Sequence, residues 1–198
     1  MGTDNLFKKR REARKKRKYE YKRPKANSYL IVTEGERTEP LYLMGMRKLI
    51  EITEQIVKDA KIMYQNIWVV FDKDDFKDFD QAIKDGIEKG YKIAWSNQSF
   101  EYWLYLHFNY SDSALHRNEW NKKLDQIFKE LNLGEGRYRK NYEDIYNIVN
   151  VDDRVDLAIK NAKRRMSGFD ERRCKPSAYD PGTMVYKLVE ELKKFIDE

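Results

Sequence analysis

The chain has 198 residues, enough for one domain with a hydrophobic core and few for two. A single cysteine excludes an internal disulfide framework and favours a reducing cytoplasm, and with only two histidines an ordinary zinc site is excluded as well. No apolar run approaches the roughly 18 residues of a membrane span and no signal peptide is visible, so we expect a cytoplasmic protein that makes no membrane contact.

The net charge of +6 is distributed very unevenly along the chain. Residues 8–23 contain eleven Lys/Arg and two Glu, a local charge of +9, which leaves −3 for the remainder. We expect residues 1–24 to form a disordered basic arm that binds nucleic-acid phosphates, with Lys15, Lys16 and Arg17 at its centre. A solubilising tail, or an arm for an acidic protein partner, is the alternative.

Three short apolar segments after the arm predict buried strands. They are Ser28–Thr33, Trp68–Phe71 and Tyr91–Trp95. The segments that follow them predict helices, in order Pro40 to about Ala60, Phe79 to Gly90, and Phe100–Phe108. This alternation of strand and helix predicts an α/β fold with a small parallel sheet, flanking helices and right-handed crossovers.

Polar residues begin where each predicted strand stops. Glu34 follows the first strand, Asp72 and Asp74 follow the second, and Asn97 follows the third. Because parallel strands end at one edge of a sheet, these four side chains should converge there. The alternative is an ordinary polar turn in which Asp78 or Asp80 caps the next helix.

A cluster of carboxylates at one edge requires a cation, since like charges repel each other. Oxygen ligands of this kind are typical of Mg²⁺ or Mn²⁺, and such an ion polarises a phosphodiester and helps to ionise a bound water. Together with the basic arm, the pattern points to an enzyme that cleaves phosphodiesters.

The remainder of the chain, from about Arg117, predicts helices only. Their apolar positions recur at helical spacing in residues 120–131, 155–166 and 185–196. Two basic loops separate them, Gly134–Tyr142 and Gly168–Pro181. We identify four candidate nucleic-acid contacts in these loops, Arg139, Lys140, Arg172 and Arg173.

Three blocks of the sequence together resemble a known family. LIVTEGERTEPLY, WVVFDKDDF and IAWSNQSFEYWLYLHF are similar to the signature blocks of RloB-like proteins, which are found in bacteria near restriction and abortive-infection loci. The later DPGTMVYKLVEEL and the basic lead-in are similar too. The core of that family resembles the Toprim domain of topoisomerases, primases and OLD-family nucleases.

The resemblance implies functions for individual acids. Glu34 would be the Toprim glutamate, a metal ligand or proton shuttle, and Glu39 the trailing acid of the same block. Asp72 and Asp74 would be the metal-binding pair, with Asp75 beside them. Glu34, Asp72 and Asp74 are therefore the predicted catalytic residues.

The third block contributes Asn97, Glu101 and His107, which we expect either to position the metal ligands or to hold a second ion. Two of them have simpler explanations. Glu101 favours the start of a helix through its charge, and His107 on an aromatic helix is most simply a hydrogen-bonded core residue.

The resemblance also implies a domain organisation. We expect a single RloB-like domain at residues 25–198, with a Toprim-like core at about 28–109 and a helical extension at about 110–198. Only residues 41–66 separate the first two blocks, too few for the helix, strand and helix of a complete Toprim core. Either the sheet is smaller by one strand or part of a loop is missing from this chain.

The leading functional hypothesis is a Mg²⁺- or Mn²⁺-dependent nuclease acting on DNA or RNA, which the resemblance places in anti-phage defence with a partner ATPase. A non-catalytic nucleic-acid-binding or scaffold protein that retains the fold is the second. A haloacid-dehalogenase-like phosphatase is the third, because an aspartate after a buried strand is the nucleophile there. Phe76 follows the acids where that family has a small or hydroxyl residue, which disfavours it.

Overall fold

The computed structural model describes residues 29–33, 64–75 and 77–194. By their contacts these residues fall into two units: Tyr29, Leu30 and residues 64–67 belong to the first, and the rest to the second. The side-chain contacts and the candidate site described below lie in the second unit. The basic arm, the acids that follow the first strand and the predicted helix from Pro40 lie outside the described residues.

The described elements alternate between strand and helix and then become mainly helical. In order they are β1 (Tyr29–Thr33), β2 (Asn66–Asp72), α1 (Phe79–Glu88), β3 (Lys92–Asn97), α2 (Phe100–Tyr105), α3 (Arg117–Glu130), α4 (Ile145–Val149), α5 (Arg154–Met166), β4 (Gly182–Thr183) and α6 (Val185–Lys193). Single 3₁₀ turns lie at Gly134–Gly136, Val151–Asp153 and Pro176–Ala178.

The strands form one sheet in the order β1-β2-β3-β4. β2 and β3 are parallel, with Cα pairs from Trp68 opposite Lys92 to Asp72 opposite Ser96. This confirms the predicted fold class, a mixed α/β protein with a small, mostly parallel sheet, flanking helices and a helical C-terminal part.

The prediction that only helices follow Arg117 is wrong in one place. β4 pairs antiparallel with the end of β3, with Ser96 opposite Thr183 and Asn97 opposite Gly182. These two pairs extend β3 beyond the predicted end at Trp95. A two-residue strand has no periodicity of its own, so its formation depends on the partner strand.

Aromatic side chains fill the space between the sheet and α1. Phe79 makes edge-to-face contacts with Phe71 and Trp95, at ring-centroid distances of 5.6 and 6.0 Å. Trp95 packs in the same way against Phe169, at 5.6 Å. This core holds the 168–181 loop against the sheet, close to the strand ends.

α2 is buried along its whole length. All six of its residues, including Glu101, are shielded from solvent. A helix that is buried on every face needs neighbours on every side, and α3 and α5 are among the elements that contact it. The start of α2, at the carboxyl end of β3, is therefore a rigid part of the structure.

Candidate functional site

Asp72 is the last residue of β2, and its carboxylate connects the strand to α2. Oδ2 accepts a hydrogen bond of 2.8 Å from the backbone N–H of Phe100, the first residue of α2. Ser99 occupies the N-cap position but makes no capping bond with its side chain. Asp72 therefore satisfies the helix terminus from the neighbouring strand, and its carboxylate is fixed at the sheet edge.

Asp74 lies in a turn that continues alongside β3. The backbone N–H of Lys73 donates to Ser96 O at 2.9 Å and that of Asp74 to Gln98 O at 3.1 Å. Asp74 has a φ of +40°, a left-handed conformation that Asp tolerates better than most residues. Asp72 and Asp74 both lie at the carboxyl edge of the sheet because they follow the apolar part of β2, and the turn at Asp74 means that the chain between them is not extended.

Arg117, the first residue of α3, supplies the positive charge at this edge. Its guanidinium nitrogens lie 2.9 Å from Asp74 Oδ1 and 3.0 Å from Asp75 Oδ2. The hydrogen bond to Asp74, followed by the charges of both acids, raises the pKa of Arg117. The side chains of Arg117, Asp74 and Asp75 are 34%, 37% and 83% exposed. Ion pairs this exposed contribute at most about 1 kcal/mol, so another cation can replace the guanidinium.

Asn97 does not join these acids. Because Asp72 is the Cα partner of Ser96, the side chain of Asn97 projects from the opposite face of the sheet. There it is fully buried, and Nδ2 lies 3.0, 3.1 and 3.2 Å from the carbonyl oxygens of Pro176, Ser177 and Tyr179. The amide of Asn97 thus holds the 168–181 loop on the sheet.

Asp80 and Gln98 hold the same loop at two further points. The carboxylate of Asp80 accepts from the backbone N–H and the hydroxyl of Ser177, at 2.8 and 2.6 Å. Gln98 Nε2 donates to Asp180 Oδ2 at 3.0 Å. Asp78 does occupy the N-cap position of α1, as the capping explanation expects, but its side chain makes no capping bond, and the carboxylate of Asp80 bonds to Ser177 instead.

Glu101 is buried in the first turn of α2 and pairs with the Gly134–Tyr142 loop. It is 2% exposed, and its Oε1 lies 2.9 Å from Lys140 Nζ and accepts from the hydroxyl of Tyr138 at 3.3 Å. Tyr138 is itself buried, so its ring is not open to a stacking base. The ion pair of Glu101 and Lys140 ties the Gly134–Tyr142 loop to α2.

His107 is completely buried and packs edge-to-face on Trp103, with ring centroids 5.1 Å apart. Its Nδ1 lies 3.1 Å from the Trp103 carbonyl oxygen. Burial, together with the charge of Arg154, lowers the pKa of His107 to about 4, against the opposing effect of two backbone hydrogen bonds. This environment matches the core-residue explanation.

The burial of His107 predicts a stability that depends on pH. The unfolded chain takes up the proton near pH 6.5 and the folded chain only near pH 4, so stability falls as the pH drops through this range and is constant above it. We expect a loss on the order of 3 kcal/mol between pH 7 and pH 4. Urea unfolding at several pH values measures it. The loss should be much smaller in His107→Asn, whose amide can still donate to the Trp103 carbonyl.

The other histidine provides the control for this experiment. His116 is exposed at the start of α3, where its side chain caps the helix, and asparagine caps helices well. His116→Asn should retain the pH dependence of the unsubstituted chain. The same slope in His107→Asn would contradict the assignment.

The remaining basic candidates differ in how accessible they are. Arg172 and Arg173 both pair with Asp170, at 3.1 and 3.5 Å, yet their side chains are almost fully exposed and can reach a ligand. Arg139 pairs with Glu135 at 3.3 Å, and both side chains are largely exposed. Lys15, Lys16 and Arg17 lie outside the described residues.

The described donors fit a magnesium ion that keeps most of its water. No group of three His, Cys, Asp or Glu in residues 29–33, 64–75 and 77–194 could hold a metal ion. Mg²⁺, however, is usually bound through only one or two carboxylates plus substrate oxygens, and Asp72 and Asp74 supply two. Glu34 and Glu39, the predicted further ligands, are outside these ranges.

One polar residue at this edge was not identified from the sequence. The hydroxyl of Ser99 is buried and has no hydrogen-bond partner among the described residues. The next residue, Phe100, donates its N–H to Asp72, so Ser99 directly precedes the point at which α2 is bonded to the sheet edge. The sequence places a hydroxyl at the start of a predicted helix, which is the ordinary pattern of an N-cap and gives no sign of another use.

Comparison with known proteins identifies one family. A model of the RloB-like protein family matches residues 29–192, most of the chain. No curated protein and no protein of solved structure shows a significant match. Among the described helices, none is long and apolar enough to cross a membrane.

Proposed function

Since the chain belongs to the RloB-like protein family, we propose that it is a nuclease of the Toprim type that depends on Mg²⁺ or Mn²⁺. The observation that carries this proposal is the pair of carboxylates at the carboxyl edge of the parallel strands. Asp72 is fixed there by the N–H of Phe100, and Asp74 is neutralised by the exposed and exchangeable Arg117. This edge is where open α/β sheets bind their ligands.

In this proposal Asp72 and Asp74 hold the ion, with Glu34 as a further ligand or proton shuttle. A divalent ion bound there polarises the phosphodiester and lowers the pKa of a coordinated water. The chain itself provides rigidity, because Asp72 is tied to the buried helix α2 and cannot turn away without breaking its bond to Phe100. Arg172, Arg173 and the basic arm would hold the substrate backbone, which is DNA or RNA.

The family resemblance extends the proposal to biology. RloB-like genes near abortive-infection loci imply anti-phage defence, and the similarity to OLD-family nucleases implies a partner ATPase. Both remain parts of the proposal.

A cleavage assay tests the nuclease. The purified full chain is incubated with labelled DNA and RNA in Mg²⁺, in Mn²⁺ and in EDTA, beside an Asp72→Ala/Asp74→Ala chain prepared identically. Cleavage should require the ion and the two acids. Equal cleavage by both preparations would identify a contaminant and overturn the proposal.

The second candidate is a scaffold or nucleic-acid-binding protein without catalysis. It is favoured by the fact that Asp72, Asp74 and Asp75 all have partners within the protein. Thermal melting distinguishes the two candidates, because an ion that binds only the folded chain raises its Tm. No shift at millimolar Mg²⁺ or Mn²⁺ would favour the scaffold.

The nuclease, and the second candidate in its nucleic-acid-binding form, both assign the basic arm to phosphate binding, which salt dependence tests. The triple variant Lys15→Ala/Lys16→Ala/Arg17→Ala should bind a single-stranded oligonucleotide more weakly. The slope of log K against log salt should fall in magnitude by about 2, since each lost phosphate contact removes about 0.7. The charge-matched variant Lys84→Ala/Lys122→Ala/Lys160→Ala should change the slope far less, and equal changes would exclude a specific contribution of the arm.

A further inference from the structure

Arg117 occupies a helix position that disfavours a cation. It is the first residue of the 14-residue helix α3, where the helix dipole is positive. Basic side chains favour the opposite end, where Lys129 lies. The position of Arg117 is therefore explained by the carboxylates that it contacts and not by any preference of α3 for a cation at its first residue.

Arg117 contacts the carboxylates of two different residues. One guanidinium nitrogen pairs with Asp74 and another with Asp75, and all three side chains are at least one-third exposed. A guanidinium that bridges two separate carboxylates has the same forked donor geometry that binds two oxygens of one phosphate. Lysine offers no such fork.

A divalent ion at Asp74 would compete with Arg117 for the charge of one carboxylate. Asp74 Oδ1 is 2.9 Å from Arg117, and an ion bound to either oxygen of this carboxylate repels the guanidinium and weakens its pair with Asp74. A guanidinium released from Asp74 can still pair with Asp75, which is mostly exposed, and it can pair with any phosphate that the ion brings to the same edge.

We propose that Arg117 is a substrate-binding residue that pairs with Asp74 and Asp75 in the ion-free protein and transfers to a phosphate of the nucleic acid when a divalent ion takes Asp74. This inference rests on the proposed function, because it needs an ion at Asp74. It adds a residue that positions the substrate and a reason why the ion-free edge is stable.

The first arm of the test measures ion binding alone. Calorimetric titration with Mn²⁺ compares the full chain with Arg117→Ala, Asp74→Asn and the control Arg164→Ala. Arg164 stacks on Tyr110, 3.9 Å from the ring centroid, and Arg164→Ala removes one positive charge, as Arg117→Ala does. Removing the competitor should raise Mn²⁺ affinity about two- to fivefold in Arg117→Ala, the equivalent of an exposed ion pair. Asp74→Asn should lose most of the affinity.

The second arm measures substrate binding in Ca²⁺, chosen to occupy the carboxylates without supporting cleavage. A fluorescent single-stranded oligonucleotide should bind Arg117→Ala at least about tenfold more weakly, the effect expected for a lost charge-assisted fork. Arg164→Ala should change it much less. Tm values confirm that each variant is folded.

The outcomes separate the inference from the function on which it rests. If Asp74→Asn loses Mn²⁺ but Arg117→Ala leaves either affinity unchanged, Arg117 is only a structural cross-link and the inference is overturned alone. If the unsubstituted chain binds no Mn²⁺, the proposed function fails and the inference fails with it.

Discussion

A chain carrying Asp72→Asn and Asp74→Asn is expected to cleave nucleic acid at least about a hundredfold more slowly than the unsubstituted chain, because the ion loses two of its charged ligands. The substitutions preserve size. In Asp72→Asn the new amide oxygen, if it takes the place of Oδ2, can still accept from Phe100, so α2 should keep its terminus. Initial rates in Mg²⁺ and in Mn²⁺, measured on the substrate that the assay identifies, give the comparison.

The two single variants should differ in their effect on the stability of the folded chain. Asp74→Asn removes one of two acids from Arg117, which retains Asp75, so its effect on stability should be within about 0.5 kcal/mol. Asp72→Asn replaces a charged acceptor at a helix N-terminus by a neutral one and should cost about 1 kcal/mol. Activity should fall in both.

A double variant far from the edge provides the matched control. Asp144 and Asp156 are exposed and make side-chain bonds to Asn147 and Lys193. Asp144→Asn/Asp156→Asn removes the same two charges and should cleave at the normal rate. A catalytic requirement for Asp72 and Asp74 would be contradicted if their variant, folded and equally pure, kept the normal rate.

Asn97→Ala is expected to lower the free energy of unfolding by about 3 kcal/mol, one of the largest effects of a single polar residue in this chain. The side chain is fully buried and supplies the donors for three loop carbonyl oxygens, and alanine leaves these carbonyls without that donor and the site with a cavity. Urea unfolding measures the loss.

Release of the 168–181 loop should accompany this loss of stability. Trypsin cuts after Arg172 and Arg173 only when the segment is free to enter its active site, so Asn97→Ala should be cut there faster than the unsubstituted chain. Asn147→Ala is the control, because Asn147 is exposed and its side chain bonds to that of Asp144. Equal effects of the two substitutions on stability would show that Asn97 does not anchor the loop.

The same variant tests the predicted part of Asn97 in the site. Because its side chain faces away from Asp72, folded Asn97→Ala should bind Mn²⁺ like the unsubstituted chain. A large loss of Mn²⁺ affinity at a temperature well below the Tm would instead support the ligand function that the third sequence block implied.

The longer strands and helices that the structure describes after residue 64 follow from local patterns, whereas α4 and β4 were not predicted. The apolar run Trp68–Phe71 lies in β2, and the helical spacing that begins at Phe79 corresponds to α1. Such periodicity reports on neighbours only a few residues apart, which is why it is readable without a fold. Asp72 follows directly on this apolar run, so its position at the edge was predictable too.

The partners of the polar residues were not predictable in this way. Arg117 is 42 residues from Asp75 in the chain, and Asn97 is 82 residues from Tyr179. Nothing in the spacing of a sequence marks such pairs, because a hydrogen bond or ion pair depends on distance in space and not on separation along the chain. Glu101 illustrates the consequence, since its residue type fits a metal ligand as well as the lysine pair that the structure shows.

By itself the sequence determined the order of the longer elements after residue 64 and the arrival of Asp72 and Asp74 at one edge, because both depend on covalent neighbours and local burial. Only the tertiary structure decided which charges neutralise those acids, that Asn97 faces the other side of the sheet, and that a short antiparallel strand completes it. Each of these depends on segments that meet only after folding, when burial forces every polar group to find a partner.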